Sequence, residues 1–292
     1  MTAYSTNGYS RIRHKVFPAV QYVSGLLVFL FVVAPVAWMF ITSISIHRDI
    51  IAVPLKIIPR HATFQRYLDV FTNPDNEIAH AFEIAMRNSL IVAGSVTVIS
   101  LAIGSLASYA FARLRFAFKN NIMYLILFTY MIPSVVVVMP LYLLLSNLGM
   151  LNIKPTLVLL YLTMTLPFVI WVMQSYFGSL SKTYEESASL EGCSRLQVLW
   201  HIYFPMARPG IIATAILSFL IAWDEFFFAL IFTSTLDAKT ISVAIAEFSG
   251  KHYVDYEMIA AGGVIAALPP VLIAIIFQKY IVMGMTAGGI KE

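Results

Sequence analysis

Two adjacent carboxylates are the polar groups of this sequence best placed to bind a ligand. Asp224 and Glu225 follow Trp223 inside a long apolar stretch. A carboxylate within a membrane-spanning segment is energetically costly and is by default a functional candidate. Neighbouring residues on a helix point about 100° apart, so the two carboxylates do not face one site together. We favour hydrogen bonds between Asp224 and a polyhydroxylated ligand. Ion coupling through either carboxylate, as in a secondary transporter, is the alternative.

The remaining polar residues do not form a catalytic or metal-binding set. The chain contains one cysteine, Cys193, so an intramolecular disulfide is excluded. Its six histidines are scattered, with no pair at metal-ligand spacing. The sequence also lacks a phosphate-binding glycine loop and a nucleophile–base–orienter set. We therefore expect a protein that is not an enzyme and that binds no cofactor of its own.

The composition places these polar groups in a membrane protein. Of 292 residues, 60% are hydrophobic and only 12% are charged, and the mean hydropathy is +0.82. A water-soluble fold of this length cannot bury so much apolar surface, and continuous apolar runs indicate helices. Windows of roughly 20 apolar residues predict an all-α membrane protein with six transmembrane helices. These helices are predicted at 17–43, 88–112, 122–146, 155–178, 209–232 and 258–283.

The basic residues are distributed unevenly between the connections, which predicts the orientation. Lys119 and Arg195 belong to the connections in which bases outnumber acids, whereas Lys56 and Lys239 belong to those in which acids outnumber bases. Lys- and Arg-rich connections stay in the cytoplasm. We therefore predict a multi-pass protein of the cell (inner) membrane with both termini cytoplasmic, and the net charge of +4 indicates this orientation rather than nucleic-acid binding. The predicted parts are a cytoplasmic N-terminus (1–16), a transmembrane domain (17–283) with an external segment (47–87) and a cytoplasmic loop (179–208), and a cytoplasmic tail (284–292).

Prolines and small residues within the predicted spans leave alternatives open. The prolines are expected to kink the helices, either for packing alone or to open an internal pathway. In the second span Ser100, Gly104 and Ser108 recur at four-residue spacing. Such a stripe allows helices to approach closely, and internal packing and dimer contact explain it equally well.

The 179–208 loop is the most informative polar segment. Thr183 and Glu186 have the spacing of a capping box, which predicts the start of a short helix, and Gly192 can end that helix in a left-handed conformation. A second short helix follows, with an apolar face formed by Leu196, Leu199, Trp200 and Tyr203. We interpret the loop as a helix–turn–helix on the membrane surface. Its apolar face contacts either a partner or the helix bundle of this chain.

The 179–208 loop resembles the EAA loop of type I binding-protein-dependent ATP-binding-cassette (ABC) importers. The family pattern is E-A-A-x-x-x-G followed later by I-x-x-x-P. The matching positions are Glu186, Ser187 and Ala188 for E-A-A, Glu191, Gly192 and Cys193 for the usual D-G-A, and Ile202, Pro205 and Pro209 for the distal part. In that family the loop docks into a groove of the cytoplasmic ATPase. The resemblance therefore implies that these two triplets and Pro205 couple the chain to an ATPase.

Four further segments narrow the resemblance to the maltose-type carbohydrate permeases. Residues 63–71 resemble the external T-F-x-N-Y segment, and Asn88-Ser-Leu resembles the start of the second span. Residues 222–226 resemble the fifth-span A-W-N-[DE]-F, with Asp224 in place of the commoner Asn, and residues 284–291 resemble the terminal G-L-T-x-G-A-x-K. The resemblance implies the type I ABC importer transmembrane fold. It also implies a permease subunit that moves a sugar, polyol or glycoside by alternating access.

Partners and ligand contacts are likewise implied by the resemblance. The partners would be a second homologous permease, two ATPase subunits that bind ATP and Mg²⁺, and an extracytoplasmic solute-binding protein. Ligand contacts in the family come from the third, fourth and fifth spans. The residues implied here are Tyr130, Ser134, Thr165, Phe168, Trp223 and Asp224. For each of them, packing within the bundle or a hydrogen bond to its own helix is the structural alternative.

Overall fold

The computed structural model describes residues 7–54, 57–72, 77–247 and 255–287, and the regular structure in these ranges is helical. The helices are α1 (Asn7–Ile44), α2 (His47–Ile50), α3 (Gln65–Thr72), α4 (Glu77–Arg113), α5 (Lys119–Tyr130), α6 (Ser134–Asn147), α7 (Lys154–Ser179), α8 (Thr183–Leu190), α9 (Arg195–Val198), α10 (Phe204–Met206), α11 (Arg208–Trp223), α12 (Phe227–Phe232), α13 (Ile241–Glu247) and α14 (Tyr256–Ala287). A π-helical turn, Leu199–Tyr203, joins α9 to α10. Residues 1–6 of the predicted N-terminus (1–16), residues 288–292 of the predicted tail (284–292) and Lys56 lie outside the described residues.

Several of these helices are long and apolar enough to cross a membrane. Within the described ranges, α1, α4, α7 and α14 qualify alone. By length and composition the number rises to six if each of two bent pairs is one span: α5 with α6, bent by 87°, and the Arg195–Met206 segment with α11, bent by 81°. The Arg195–Met206 segment belongs to the 179–208 loop, so α11 is the part of the second pair that lies in the predicted fifth span. The predicted all-α membrane fold is therefore confirmed. The 37-residue helix α4 begins at Glu77, so helix extends well into the segment 47–87 that was predicted to be external.

The third span is not the continuous helix predicted at 122–146. Helix α5 ends at Tyr130, and α6 begins after Pro133, which is extended with φ −61° and ψ 132°. Proline has no N–H to continue a helical ladder and forces the preceding residue out of the helical region. Pro140 and Pro167, in contrast, lie inside continuous helices. The sharp bend at Met131–Pro133 separates the two halves of this span and opens space between them.

The fifth span also departs from the continuous helix predicted at 209–232. Helix α11 ends at Trp223 with Asp224 as its C-terminal cap, and α12 begins at Phe227. The Glu225 carboxylate accepts hydrogen bonds from the backbone N–H groups of Phe228 (2.8 Å) and Ala229 (3.2 Å). A carboxylate that satisfies the free N–H groups of a first turn stabilises the start of a helix. Glu225 therefore starts a new helix instead of continuing the old one.

Helix α4 lies at the centre of the bundle and packs against α7 and α11. Ser100 Oγ lies 3.0 Å from Ser218 Oγ on α11, and Ser108 Oγ donates a 3.0 Å hydrogen bond to the Ile170 carbonyl on α7. A Cβ on Gly104 would lie 2.6 Å from Val169 Cγ1, so this position requires glycine for the close approach of α4 and α7. The internal-packing explanation of the small-residue stripe is confirmed.

Candidate coupling loop and translocation cavity

The turn of the 179–208 loop has the geometry of a Schellman motif. Gly192 has a φ of +84°, the left-handed conformation predicted for it. Its N–H donates to the Ser189 carbonyl (3.1 Å), and the N–H of Cys193 donates to the Ala188 carbonyl (3.0 Å). These two bonds satisfy carbonyls that the end of α8 would otherwise leave free. The turn thus fixes the direction in which the chain enters α9.

The capping box of this loop lies at α9 and not at α8, where it was predicted. Ser194 N–H donates to Gln197 Oε1 (2.7 Å), and Gln197 N–H donates to Ser194 Oγ (3.4 Å). Thr183 already lies inside the first turn of α8, so it cannot serve as the cap, and the cap residue, Lys182, makes no side-chain capping bond. The Glu186 side chain is exposed and is not used to cap α8.

The second part of the loop has a buried face and an exposed face. Val198, Leu199 and Tyr203 are buried, with at most 2% of their surface accessible. They pack into a cluster that joins the loop to the ends of α4 and α7, formed with Tyr109, Val169, Met173, Phe177, Ala188 and Ala207. This loop-end core anchors the segment to the bundle. The alternative that the loop packs on its own bundle is therefore right for this face.

The exposed face of the loop includes large apolar side chains that the described residues of the chain leave uncovered. Leu190, Leu196 and Trp200 are 90%, 61% and 57% exposed. The prediction that Leu196 and Trp200 share one face with Leu199 and Tyr203 is wrong, because the latter two are buried. A π-helical turn has more residues per turn than an α-helix, and it turns Leu199 and Tyr203 toward the bundle. Leu190, Leu196 and Trp200 are hereafter called the docking face.

The structure places the predicted coupling residues around this turn. Ala188 is buried in the loop-end core and orients α8. The other predicted coupling residues are exposed: Glu186, Ser187, Glu191, Gly192, Cys193 and Pro205. They are accessible to a partner while the backbone that carries them is fixed by hydrogen bonds. Contact between these residues and an ATPase stays a prediction.

Arg113, at the end of α4, is a further loop residue that the sequence did not reveal. Its Nη2 donates to the Phe177 carbonyl (2.5 Å) and to the Leu180 carbonyl at the end of α7. The guanidinium lies 4.9 Å above the centre of the Tyr203 ring. A cation at helix C-terminal carbonyls is electrostatically favourable. The sequence offered one signal, a basic residue at the end of a predicted span. Basic residues are common at the predicted cytoplasmic span ends, so this signal does not distinguish Arg113 from the others.

Tyr203 extends this set of contacts to α8. Its hydroxyl donates to Glu185 Oε2 at 3.2 Å. Burial raises the pKa of Tyr203, while the Arg113 charge acts in the opposite direction. The hydroxyl is therefore protonated at neutral pH and remains a donor. The ring also packs edge-on against Tyr109 and Phe177, with centroid distances of 5.3 and 5.9 Å.

A cavity of about 990 Å³ lies at the bend of the third span. Its walls come from both halves of that span and from α7, with Ile221 and Phe228 at one side. The polar lining consists of Thr129, Tyr130, Ser134 and Thr163. Among the described residues that line it, none carries a charge. An apolar cavity with a few hydroxyl groups suits a neutral molecule with both apolar and hydroxyl surfaces.

The predicted pathway residues are only partly brought together. Tyr130 and Ser134 line the cavity. Thr165 is fully buried and donates to the Tyr161 carbonyl of its own helix (3.1 Å), and Phe168 packs against the loop-end core. Trp223 is 4% exposed and stacks on Phe219, with a centroid distance of 5.5 Å. Ligand contact by these residues stays a prediction.

The adjacent carboxylates have different roles in the structure. Asp224 is exposed at the end of α11, close in sequence to the cavity residue Ile221. The Glu225 carboxylate, one residue before the cap position Phe226, accepts from two first-turn N–H groups of α12. The described residues contain no group of three or more His, Cys, Asp or Glu side chains that could hold a metal ion. Of the two adjacent carboxylates, that of Asp224 does not cap α12 and is accessible to a polar ligand.

Apolar helices around a cavity, with a rigid loop that presents uncovered apolar side chains at one end, define the membrane subunit of a transporter. Comparison with known proteins supports this class. The chain is 34% identical to the trehalose/maltose transport system permease protein MalG of Thermococcus litoralis over 92% of this chain and 95% of that protein. It is 33% identical to the trehalose transport system permease protein SugB of Mycobacterium tuberculosis over 88% of this chain and 92% of that protein.

Solved structures show the same fold. The match to a bacterial ABC transporter involved in import of the acidic polysaccharide alginate has a TM-score of 0.75 at 21% identity, and covers 96% of this chain and 99% of that one. A second alginate transporter structure, in complex with an alginate pentasaccharide-bound periplasmic protein, matches with a TM-score of 0.68 at 15% identity, over 92% and 95% of the two chains. The type I ABC importer fold predicted from the sequence is confirmed.

Residues 100–286 match the family described as the binding-protein-dependent transport system inner membrane component, and the chain belongs to that family. It is therefore a permease subunit of an ABC importer, located in the inner membrane, and a transport subunit rather than an enzyme. The alternative of an ion-coupled secondary transporter is not supported. Its coupling group would be Asp224 or Glu225, and the second of these is used to cap α12.

Proposed function

We propose that this chain passes a neutral sugar, polyol or glycoside across the inner membrane by alternating access. The observation that carries the substrate class is the cavity, in which hydroxyl groups from Thr129, Tyr130, Ser134 and Thr163 interrupt an apolar wall that lacks charged side chains among its described residues. Tyr130 and Ser134 supply ring and hydroxyl contacts there. Relatives named for trehalose and maltose transport support the same class.

A reconstitution experiment tests this substrate class. The importer, purified with its natural partners and inserted into liposomes, is expected to take up radiolabelled maltose or trehalose when ATP is present on the side of the ATPases. Alginate oligosaccharides, which carry carboxylates, are expected to be excluded because the cavity offers them no cation. ATP-dependent uptake of alginate oligosaccharides, with no uptake of any neutral sugar, would reject the proposal.

The proposed partners are a second homologous permease, two ATPase subunits that bind ATP and Mg²⁺, and an extracytoplasmic solute-binding protein. The docking face supports the proposal of an ATPase partner, because exposed Leu190, Leu196 and Trp200 lie on a loop that is anchored to the bundle. The exposed surface of α1 is available for contact with the second permease or with lipid, because only 11% of its most apolar 18-residue stretch is buried. This chain carries the loop, and the ATP site belongs to the partners.

The substitution Trp200→Ala tests the ATPase contact. Trp200 is 57% exposed, so its loss should leave the fold of the bundle intact. Tryptophan is enriched among interface hot spots, and the loss of a hot-spot side chain costs at least about 2 kcal/mol. The ATPase subunits should therefore co-purify in a markedly lower amount than with the unmodified chain. Trp171→Ala, another tryptophan substitution at a 54% exposed position on α7, is the matched control. Equal ATPase recovery with both variants would contradict docking at this face.

The proposed orientation places the loop end of the bundle and both termini in the cytoplasm. Single cysteines replacing Lys119, Arg195, Lys56 or Lys239 test it, in a Cys193→Ser background that removes the exposed native thiol. An impermeant thiol reagent added to intact spheroplasts should label the variants at Lys56 and Lys239. The variants at Lys119 and Arg195 should react only after the membrane is opened. Equal labelling of all four variants in intact spheroplasts would overturn the topology.

A further inference from the structure

Three transmembrane helices meet at the 179–208 loop, but only two are joined to it by the backbone. Helix α7 ends at Ser179 and leads into the loop, and α11 begins at Arg208, where the loop ends. Helix α4 ends at Arg113 and, among the described residues, is joined to the loop by side-chain contacts. A movement of the loop therefore reaches α7 and α11 directly, whereas α4 needs a noncovalent connection.

Arg113 supplies that connection through two kinds of contact. Its Nη2 donates to the Phe177 and Leu180 carbonyls at the end of α7. Its guanidinium covers the buried ring of Tyr203 in the loop at 4.9 Å, and Tyr203 in turn donates to Glu185 of α8. Arg113 thus connects the ends of α4 and α7 with the second half of the loop, and Tyr203 extends these contacts to α8.

The route from Arg113 to the cavity is short. Residues 114–118 connect Arg113 to α5, which begins at Lys119 and ends at Tyr130, in the cavity wall. The α4 helix is itself held to α7 by the Ser108 hydrogen bond and by the close approach at Gly104. The packed α4–α7 pair transmits displacement instead of absorbing it. Residues 115–118 are exposed and α5 has no buried side chain, so α5 follows the end of α4 through its chain connection.

We propose that Arg113 is the positioning residue through which movement of the loop is transmitted to α4 and, through α5, to the cavity. The inference rests on the proposed docking of an ATPase at the loop. Arg113 need not contact the ATPase, the nucleotide or the transported molecule. It makes the loop, α4 and α7 move as one body when the ATPases close.

The test measures the response of the cavity to ATP without knowledge of the transported molecule. Met131, at the bend, is 77% exposed, and Met131→Cys in a Cys193→Ser background reports the state of the cavity by its rate of thiol labelling. The whole importer is compared with and without ATP and vanadate, which trap the closed ATPases. Transmission by Arg113 predicts that trapping changes the labelling rate when Arg113 is present. Arg113→Gln is expected to reduce that change at least about tenfold, within the 5–150-fold range of coupling effects in proteins, while ATPase subunits still co-purify.

Two further variants make the result decisive. Arg115→Gln removes the same charge from an exposed position two residues later and should respond to trapping like the parent chain. Arg113→Lys keeps a cation that can donate to the carbonyls but lacks the planar guanidinium that covers the Tyr203 ring, so an intermediate response is expected. If Arg113→Gln responds like Arg115→Gln, the proposal is wrong. If Arg113→Gln loses the ATPase, the Lys variant decides, and a full response there overturns the proposal.

Failure of the docking proposal would be recognised separately. Trp200→Ala removes a docking-face residue and leaves Arg113 and Tyr203 in place. If that variant binds the ATPase and responds normally, the docking face is wrong whatever Arg113 does. If it releases the ATPase while Arg113→Gln retains the ATPase but loses the response, docking and transmission are distinct functions of the two sites.

Discussion

The loop end of the bundle and the cavity at the third-span bend are built in opposite ways. At the loop end, a Schellman turn, a capping box, a buried aromatic cluster and Arg113 fix the backbone, and a few apolar side chains remain uncovered. At the cavity, Tyr130 and Met131 are 50% and 77% exposed, and the wall has few hydrogen-bonding groups. A rigid site suits docking and the transmission of force, whereas an open one suits a molecule that must enter and leave.

This contrast predicts its largest effect at Gly192. A side chain at a left-handed position costs roughly 1–2 kcal/mol, and a leucine there would also meet any partner that approaches the turn. A Cβ at Gly192 meets no atom of this chain within 4 Å. Gly192→Leu should therefore insert and fold, yet lose the ATPase subunits and more than about nine-tenths of uptake, a tenfold change per 1.4 kcal/mol. Co-purification and ATP-dependent uptake measure these two outcomes.

Gly210→Ala provides the opposite case. Its new Cβ would lie 2.5 Å from Cδ1 of Tyr176, so the bundle itself should be destabilised, as a lower unfolding temperature would show. Glu186→Lys, at an exposed position that does not cap α8, should be nearly as damaging as Gly192→Leu if the carboxylate faces a basic partner.

Full ATP-dependent uptake by Gly192→Leu would mean that the loop is not the coupling element.

A smaller effect is expected in the cavity region, at Asp224. Loss of one hydrogen bond to a charged group costs roughly 1.5–3 kcal/mol, which corresponds to a reduction of about 10- to 150-fold in apparent affinity. Asp224→Ala should therefore raise the substrate concentration needed for half-maximal uptake, with ATPase subunits recovered normally. Asp237→Ala, at an exposed position in the connection after α12, is the control. Normal transport by both Asp224→Ala and Trp223→Ala would show that neither residue contacts or gates the solute.

The smallest effect is expected at Glu225, whose carboxylate caps α12. In Glu225→Gln the new amide side chain keeps an oxygen that can accept from Phe228 N–H, so the substitution should cost at most about 1 kcal/mol of stability. ATP-driven uptake should be nearly unchanged and independent of an imposed proton gradient. Uptake by this chain alone, driven by a gradient and abolished by Glu225→Gln, would instead favour ion coupling through this residue.

Local rules predicted the parts of the fold that depend on local chemistry. Apolar runs predicted the membrane helices, because lipid cannot satisfy free backbone groups. Gly192 was predicted to take a left-handed turn because glycine alone adopts it without strain. Pro133 was expected to kink its span, but sequence could not distinguish a kink from an 87° break. Pro140 and Pro167 lie inside continuous helices, so the presence of a proline alone does not determine whether a span bends or breaks.

The candidate site was less predictable because burial depends on distant parts of the chain. Thr165 and Trp223 have the residue types of a sugar site, yet each is buried by neighbouring helices. The two faces of the loop depend on a π-helical turn, which shifts the 3.6-residue period on which the predicted face was based. The sequence marks Arg113 only as a basic residue at a span end, since its partners are carbonyls of α7 and a ring of the loop.

The sequence by itself determined that this protein lies in a membrane, where its helices are, and that its loop has a turn that requires Gly192. Those features follow from hydrophobicity and backbone conformation, which act over a few residues or a single helix. Only the tertiary structure decided which loop side chains stay uncovered, which hydroxyl groups line the cavity, and that Glu225 caps a helix. It also decided that Arg113 bridges α4, α7 and Tyr203. These features depend on groups far apart in the chain that come together only when the helices pack.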